Sequence, residues 1–447
     1  MNRDLYRIVA ALLGLLTVTT DCNVSLAEEA HQPNIVLIVA DDLGWNDVGY
    51  HNPEIKSPTL DRLAAGGVRF DWQYVMPQCT PTRVCLMTGR YPSRFGAHCC
   101  QASNEQAFPV GTPTLASTLR DAGYATALCG KWHLGSKPEW GPNHYGFDNS
   151  YGSLTGAVGM LDHRYRLNSP FTTTWHRNHD FVEEEGHATD LVTAEAIRLF
   201  SQPREKPLFL YVPYHAVHTP LVEEEKWLEL NVHIELHDRR LYAAAVSHMD
   251  ECVRQIAEAV EHDRSKRETL VVFVSDNGAQ VNHGGNAYPP PDPKLKNFSS
   301  NKPLRSSKTH VYEGGMRVPA FAYWPGKLEP SVCNAPLHAV DWFTTLANLG
   351  GAELPADVEF DGRDVWPEVN GARAEPRELY WVWGGGRRRV ALRSGDWKVL
   401  RDGPKQTWEL YNLAEDPYEE SNLSKSKPDK LQSMLALVRA QRERDAE

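Results

Sequence analysis

NIVLIVA, residues 34–40, is the stretch on which the prediction of the fold depends, and Asp41 and Asp42 follow it directly. The run is continuously apolar and rich in β-branched residues, which is typical of a strand buried on both faces of a parallel sheet. A second run of this kind, residues 270–274, is followed closely by Asp276 and Asn277. The two runs predict the centre of a parallel sheet.

Strands and helices alternate along the first 350 residues. Apolar spacing, proline near helix starts and glycine at helix ends mark the elements. Such alternation is typical of an α/β protein whose mainly parallel sheet is covered on both faces. Further strands are predicted at residues 125–129, 208–212 and 320–323, and helices at residues 57–66, 114–122, 241–260 and within 337–349.

After about residue 350 the pattern changes to short strands separated by turn residues. These strands are predicted at residues 378–383, 389–393, 397–401 and 408–412, and a charged amphipathic helix follows at 431–442. We therefore expect an α/β fold with a large, mainly parallel mixed sheet sandwiched by helices in residues 32–350. A smaller C-terminal subdomain, an antiparallel sheet with one helix, is expected in residues 351–447.

The N-terminus has the pattern of an export signal. Arg3 and Arg7 supply positive charge, residues 8–18 are almost wholly apolar, and residues 25–27 (Ser-Leu-Ala) fit a small-x-small cleavage site. The apolar run is too short to span a bilayer comfortably. We predict a signal peptide over residues 1–27 and a periplasmic or extracellular protein without stable membrane insertion. The net charge of −11 argues against a nucleic-acid partner.

Polar side chains end both of the central strands. Ligands of open α/β sheets gather at the carboxyl ends of the strands, so Asp41, Asp42, Asp276 and Asn277 are expected to lie together. Oxygen ligands of this kind suit a hard divalent cation, calcium or magnesium. Either pair alone is equally typical of turns and helix caps, and the prediction rests on the two occurring together.

A set of short motifs has a fixed order along the chain. Cys79-Thr80-Pro81-Thr82-Arg83 runs on to Thr-Gly-Arg at residues 88–90. The other blocks are VADDLG (39–44), GKWHLG (130–135), HAVHTP (215–220), SDNG (275–278) and YEGGMRVP (312–319). Together they resemble the formylglycine-dependent sulfatase family of the alkaline phosphatase superfamily, over essentially the whole mature chain. Within it, the chain looks most similar to the arylsulfatase B, or N-acetylgalactosamine-4-sulfatase, branch.

The resemblance implies a role for each motif residue. A formylglycine-generating maturation enzyme would oxidise Cys79, and the hydrated aldehyde offers one hydroxyl to attack sulfur and another whose collapse expels sulfate. The residue at position 79 would also bind one Ca²⁺ with Asp41, Asp42, Asp276 and Asn277. The remaining roles are Arg83 holding the formylglycine hydroxyl, His133 as the base for elimination, Lys131 and Lys308 binding sulfate oxygens, and His218 protonating the departing alcohol.

The chain departs from the family pattern at Thr82, where serine is usual, and at Ser306 and Ser307, where glycine or a basic residue is more usual. A loop at residues 289–302 looks inserted beside the site and brings Lys294, Lys296 and Lys302 to its expected rim. Arg387–Arg389 offer either a second cationic surface or a solvated hairpin.

The expected activity is exo-acting hydrolysis of a sulfate ester on a galactose- or N-acetylgalactosamine-type sugar. Two alternatives stay open at this point. One is a phosphomonoester or phosphonate monoester hydrolase of the same superfamily, and the other is a catalytically inactive carbohydrate-binding protein. Retention of Cys79, Lys131 and His133 disfavours the inactive alternative.

Overall fold

The computed structural model describes residues 32–165, 172–263, 265, 267–281, 296 and 298–446. The predicted signal peptide and most of the predicted loop 289–302, including Lys294, lie outside the described residues.

The elements have the following bounds. The strands are β1 (Asn34–Ala40), β2 (Val68–Phe70), β3 (Gln73–Tyr74), β4 (Ala125–Lys131), β5 (Asn149–Ser153), β6 (Arg164–Tyr165), β7 (Thr172–Thr173), β8 (Trp175–Arg177), β9 (Asp180–Phe181), β10 (Leu208–Pro213), β11 (Thr269–Ser275), β12 (Ala320–Tyr323), β13 (Ser331–Cys333), β14 (Leu337–His338), β15 (Glu378–Trp383), β16 (Arg389–Ser394), β17 (Trp397–Arg401) and β18 (Glu409–Asn412). The helices are α1 (Pro58–Gly66), α2 (Cys79–Thr88), α3 (Leu115–Asp121), α4 (Ala188–Phe200), α5 (Glu225–Leu230), α6 (His237–Glu261), α7 (Glu313–Met316), α8 (Asp341–Leu349), α9 (Trp366–Val369) and α10 (Pro428–Glu443).

Within the described residues the large sheet has ten strands in the order β13-β2-β12-β11-β1-β10-β4-β5-β8-β9. The five central strands, from β11 to β5, are parallel to one another, whereas β12 pairs antiparallel with β11, β8 with β5 and β9 with β8. β1 lies between β10 and β11 and is buried along its whole length. The predicted α/β class and the central position of residues 34–40 are confirmed.

The two faces of β1 supply two separate hydrophobic cores. Ile35, Leu37 and Val39 pack with residues of α2, α3, α8 and the C-terminal strands. Val36 and Ile38 point the other way, into a core formed with α1, α4 and α6. Because successive side chains of a strand alternate between faces, a strand between two helical layers must be apolar throughout.

The C-terminal strands form a four-stranded antiparallel sheet in the order β15-β16-β17-β18, and α10 packs against β16 and β17. Side chains of this sheet, such as Trp381 and Leu400, belong to the same core as one face of β1. The boundary placed after residue 350 stays a prediction about architecture. Among the described residues, no helix is both long and apolar enough to cross a membrane.

Candidate active site

The carboxyl ends of β1 and β11 meet in register, with Ala40 beside Ser275. The residues that follow therefore face one another: the backbone N–H of Asp42 donates to Oδ1 of Asp276 (3.2 Å), and Nδ2 of Asn277 donates to Oδ1 of Asp42 (2.7 Å). Asp42 has a left-handed φ of 62°. All four predicted metal ligands are buried, and the structure brings them together.

The oxygen atoms of this cluster fit a hard cation. Oδ1 of Asp41 and Oδ1 of Asn277 are buried and have no hydrogen-bond partner among the described residues, which is costly unless something else binds them. Burial and the neighbouring Asp41 raise the pKa of Asp276 to about 6. His218 also lies within ligand reach of Asp41 and Asp42, but the set is dominated by oxygen donors, which favours calcium or magnesium over a softer ion.

Cys79 is the first residue of α2 and is 3% exposed. Burial raises the pKa of its thiol, while the positive charges of Lys131 and Lys308 oppose that rise, so the side chain lies in the field of the same cluster. Thr82, where the family pattern has serine, uses only its hydroxyl: Oγ1 accepts from the N–H of Met76 (2.9 Å) and donates to the carbonyl of Met76 (3.1 Å). Serine and threonine make these bonds equally well.

Arg83 lies one turn further along α2 and is completely buried. Its Nη1 donates to the carbonyl oxygen of Lys131 (2.7 Å), and its Nη2 donates to Oδ2 of Asp276 (2.9 Å). Nε has no partner among the described residues. The guanidinium thus ties α2 to β4 and to the carboxylate cluster and leaves one N–H for a further acceptor.

Lys131 and His133 come from the end of β4 and the turn after it. Lys131 Nζ contacts Oδ2 of Asp41. His133 has a φ of 55°, and its backbone N–H donates to the carbonyl of Leu154 (3.1 Å). Burial, together with the charges of Lys131 and Arg83, holds the pKa of His133 well below its usual range. The neutral imidazole, with an unpartnered Nδ1, is able to accept a proton.

His218 and Lys308 complete the cluster from two other loops. Lys308 Nζ lies 2.6 Å from Oδ1 and 2.8 Å from Oδ2 of Asp42, and His218 Nε2 lies 3.7 Å from Oδ2. Burial and Lys308 lower the pKa of His218 to about 3. Burial alone would raise the pKa of Asp42, but the charges of Lys308 and His218, with hydrogen bonds from Lys308 and Asn277, hold it below its usual range.

The glycines of two motifs hold the Lys308 loop close to the sheet. A Cβ on Gly278 would stand 1.9 Å from the carbonyl oxygen of Gly314, and one on Gly315 would stand 2.0 Å from that of His310. Side chains at these positions would push the loop away. The SDNG and YEGGMRVP blocks therefore lie in close contact through their backbones.

One buried histidine near the site was not among the predicted site residues. His215, three residues before His218, is 3% exposed, and neither ring nitrogen has a hydrogen-bond partner among the described residues. Its ring lies 5.6 Å from that of Trp175 and in the field of Lys131. The only sequence signal for it was its place in the HAVHTP block.

The predicted rim is partly described. Lys296 and Lys302 are exposed. Of the three arginines at 387–389, Arg387 contacts the carbonyl of Ala446, and Arg389 donates to the carbonyls of Asp402 and Thr309.

A buried oxygen-lined cation site beside the first residue of a helix, flanked by lysines and histidines, defines a hydrolase of anionic esters. The family model described as Sulfatase matches residues 33–352, and a second model, N-sulphoglucosamine sulphohydrolase, C-terminal, matches residues 306–443. The chain belongs to the sulfatase family and is therefore a sulfuric ester hydrolase.

Individual relatives agree with the family match. Arylsulfatase J of Mus musculus is 31% identical over 466 residues, which cover 90% of this chain and 75% of the relative. N-acetylgalactosamine-6-sulfatase of Canis lupus familiaris is 33% identical over 404 residues, covering 84% and 74%. The crystal structure of Ps i-CgsB is similar with a TM-score of 0.82 and 31% identity, covering 93% of this chain and 94% of that one. Ps i-CgsB was also solved with a neocarrahexaose, with a TM-score of 0.80.

Proposed function

We propose that this chain is an exo-acting sulfatase of a galactose- or N-acetylgalactosamine-type sugar and uses a formylglycine formed from Cys79 and one calcium ion. The observation that carries the proposal is the buried cluster itself. Three carboxylates and one amide group meet there, and carboxylate charges act on the Cys79 thiol together with those of Lys131 and Lys308. Two of the oxygens, Oδ1 of Asp41 and Oδ1 of Asn277, have no hydrogen-bond partner among the described residues.

The formylglycine and a bound metal ion would supply the reactive chemistry. When bound, a divalent cation held by Asp41, Asp42, Asp276 and Asn277 would act as a Lewis acid toward the sulfate oxygens and the hydroxyl at position 79. The formylglycine hydrate supplies a nucleophilic hydroxyl and a second hydroxyl for release of sulfate.

The side chains of the chain itself would bind and orient the ester and move its protons. Lys131 and Lys308 bind the non-bridging sulfate oxygens, which spreads the charge that develops in the transition state. Arg83, fixed by Asp276, offers its unpartnered Nε to the group at position 79. His133, neutral and buried, takes the proton that accompanies sulfate release, and His218 gives a proton to the departing alcohol.

His218 must acquire that proton before it acts as an acid. Burial and Lys308 disfavour the imidazolium. A bound sulfate ester adds negative charge beside both groups, which raises the pKa of His218 and favours the protonated form. Binding of the substrate therefore favours protonation of His218.

The sugar preference follows from relatives rather than from the sulfate pocket. N-acetylgalactosamine-6-sulfatase and a structure with a neocarrahexaose are among the similar proteins. The N-acetylgalactosamine-4-sulfatase resemblance stays a prediction about position. We propose that the exposed lysines of the loop 289–302 and the arginines at 387–389 bind the remainder of the saccharide, because they are cationic and lie outside the motif blocks.

The proposal also includes a maturation enzyme and a location outside the cytoplasm. Maturation of Cys79 requires a formylglycine-generating enzyme that acts before folding, because the folded chain buries this side chain. The signal peptide predicted for residues 1–27 directs the protein to the periplasm or the extracellular space.

A phosphomonoester hydrolase remains the main competing activity. Phosphatases of this superfamily commonly use a second metal with added histidine and aspartate ligands. The other described cluster of such residues is His187, Asp190 and His248. There the imidazole of His248 lies between Asp190 (3.0 Å) and Glu223 (2.7 Å), whose hydrogen bonds raise its pKa to about 12 although burial alone would lower it. Both ring nitrogens of His248 thus already contact carboxylates, which leaves neither of them free to bind a metal.

The test compares para-nitrophenyl sulfate with para-nitrophenyl phosphate, using protein co-expressed with a formylglycine-generating enzyme. Peptide mass at position 79 establishes that sulfur has been lost and oxygen gained. We expect sulfate ester turnover to exceed phosphate turnover, and a panel of monosulfated galactose and N-acetylgalactosamine isomers then identifies the position cleaved. Faster phosphate turnover by fully converted protein would assign the competing activity, and binding without turnover would assign the inactive alternative.

A further inference from the structure

The turn that joins β15 to β16, residues 384–388, is fixed to the helix that carries Cys79. Trp383 Nε1 donates to Oε1 of Gln78 (2.8 Å), and Gln78 immediately precedes α2. The N–H of Gly384 donates to the carbonyl of Cys100 (2.9 Å), and the N–H of Gly385 donates to Oε1 of Gln101 (2.9 Å). The start of the turn therefore lies against the nucleophile side of the site.

The end of the turn is fixed close to its start. Arg389, which pairs with Trp383 across the two strands, donates from Nη1 to the carbonyl of Thr309 (2.5 Å), the residue after Lys308. The N–H of Thr309 donates in turn to the carbonyl of Pro77 (2.6 Å), and Nε of Arg389 donates to the carbonyl of Asp402 (3.0 Å). The base of the turn therefore contacts the residues next to Cys79 and next to Lys308, and we call residues 383–389 the wall.

The three arginines of this wall differ in their contacts. Arg387 contacts the carbonyl of Ala446 and lies 3.9 Å from Asp445, and Arg389 is held as described. Arg388 is exposed and makes neither a hydrogen bond nor an ion pair within the described part of the chain. Its side chain lies over the turn, close to Gly384 and Gly386. Arg388 is therefore a cation of the wall that no described residue neutralises.

We propose that Arg388 forms a subsite for a second anionic substituent of the substrate, a sulfate or carboxylate on the sugar next to the one that is desulfated. This inference rests on the proposed function and deepens it. A guanidinium presents a planar fork of N–H donors that matches an oxyanion. The buried lysines of the sulfate pocket are already engaged by Asp41 and Asp42 and serve the reacting ester, whereas Arg388 faces solvent at the rim.

The experiment measures KM on two disaccharides of galactose, one sulfated only at the reacting position and one that also carries a sulfate on the adjacent sugar. Arg388→Ala is expected to raise the ratio of KM for the disulfated over the monosulfated compound by about three- to five-fold, as for one solvent-exposed ion pair. Arg388→Lys restores most of the parental ratio, and the ratio for the parent enzyme rises toward that of Arg388→Ala as salt screens the interaction.

Arg373→Ala is the matched control, because Arg373 is also exposed, makes no hydrogen bond or ion pair within the described residues and precedes β15 at its far end. It should leave both KM values unchanged. An unchanged ratio in Arg388→Ala, or an equal change of the ratio in Arg373→Ala, would overturn the subsite. If the matured protein hydrolyses neither compound, the proposed galactose-type substrate fails, and calorimetric binding of the disulfated compound to Cys79→Ala, with and without Arg388→Ala, still decides the subsite.

Discussion

Gly156 is the position at which a single methyl group should disable His133, the proposed catalytic base. A Cβ built there would stand 2.2 Å from Nε2 and 2.3 Å from Cε1 of His133, where ordinary contact begins at about 3.4 Å. The backbone of His133 is held by its bond to Leu154, so the ring must move. Gly156→Ala therefore displaces the imidazole by about 1 Å without removing any catalytic group.

The expected cost is divided between activity and stability. A misplacement of about 1 Å in a catalytic group lowers turnover by roughly 100-fold. Overpacking by one methyl in a closely packed interior lowers the free energy of unfolding by about 1–3 kcal/mol. The assay is kcat for para-nitrophenyl sulfate, together with the urea midpoint of unfolding. Gly403→Ala is the control, because its new Cβ would come no closer than 3.7 Å to another residue.

A double-mutant cycle tests whether the loss passes through His133. In a His133→Ala background the added methyl group meets no ring, so Gly156→Ala should cost little further activity. Near-parental turnover in the single variant, or the same 100-fold loss in the His133→Ala background, would refute the assigned contact and the role of His133 as the base.

Three further variants test the nucleophile, the metal and the ionisation of the interior. Cys79→Ala should abolish turnover, and Cys79→Ser should stop after at most one sulfate transfer, seen as a trapped sulfate by mass; continued turnover by either would exclude the formylglycine mechanism. Asp42→Ala should weaken calcium binding measured by calorimetry and lower thermal stability in calcium, with no effect of calcium on the variant; a calcium response equal to that of the parent would remove Asp42 from the site. Burial and nearby Glu313 raise the pKa of Glu419 to about 7, so the folded state keeps a proton that the unfolded state loses from about pH 4.5. The free energy of unfolding should fall as pH rises between these values, by on the order of 2 kcal/mol, and Glu419→Gln should flatten that fall in urea titrations at each pH; an equally steep fall would exclude Glu419 as its source.

The sequence was most informative where one physical requirement dominates. A strand between two helical layers must be apolar on both sides, so residues 34–40 could be identified as the sheet centre and matched the observed bounds. Helix α3 was bounded correctly because Thr114 caps it in a capping box with Ser117. By contrast α4 was not predicted. It is capped by the less usual His187, and its apolar face is used only once α6 packs on it.

The site shows the same division. That Asp41 and Asp276 meet follows once β1 and β11 are placed in one parallel sheet, because the carboxyl ends of parallel strands lie at the same edge. The contact of Trp383 with Gln78 joins the small sheet to the start of α2, 305 positions away, and depends on how the small sheet packs. Motif blocks identify residues whose chemistry a family shares. The turn between β15 and β16 belongs to a separate sheet and has no fixed spacing from those blocks, so its position beside the site could not be predicted from them.

The distribution of charge explains how a chain of net charge −11 receives an anion. Lys131, Lys308 and Arg83 are each held by a carboxylate of the cluster, so their positions are fixed before any substrate arrives. A cation bound by the carboxylates would neutralise them and free the lysines to face sulfate, so metal and substrate binding should reinforce each other. A preorganised interior of this kind needs no basic surface, and the net charge of the chain remains available for solubility.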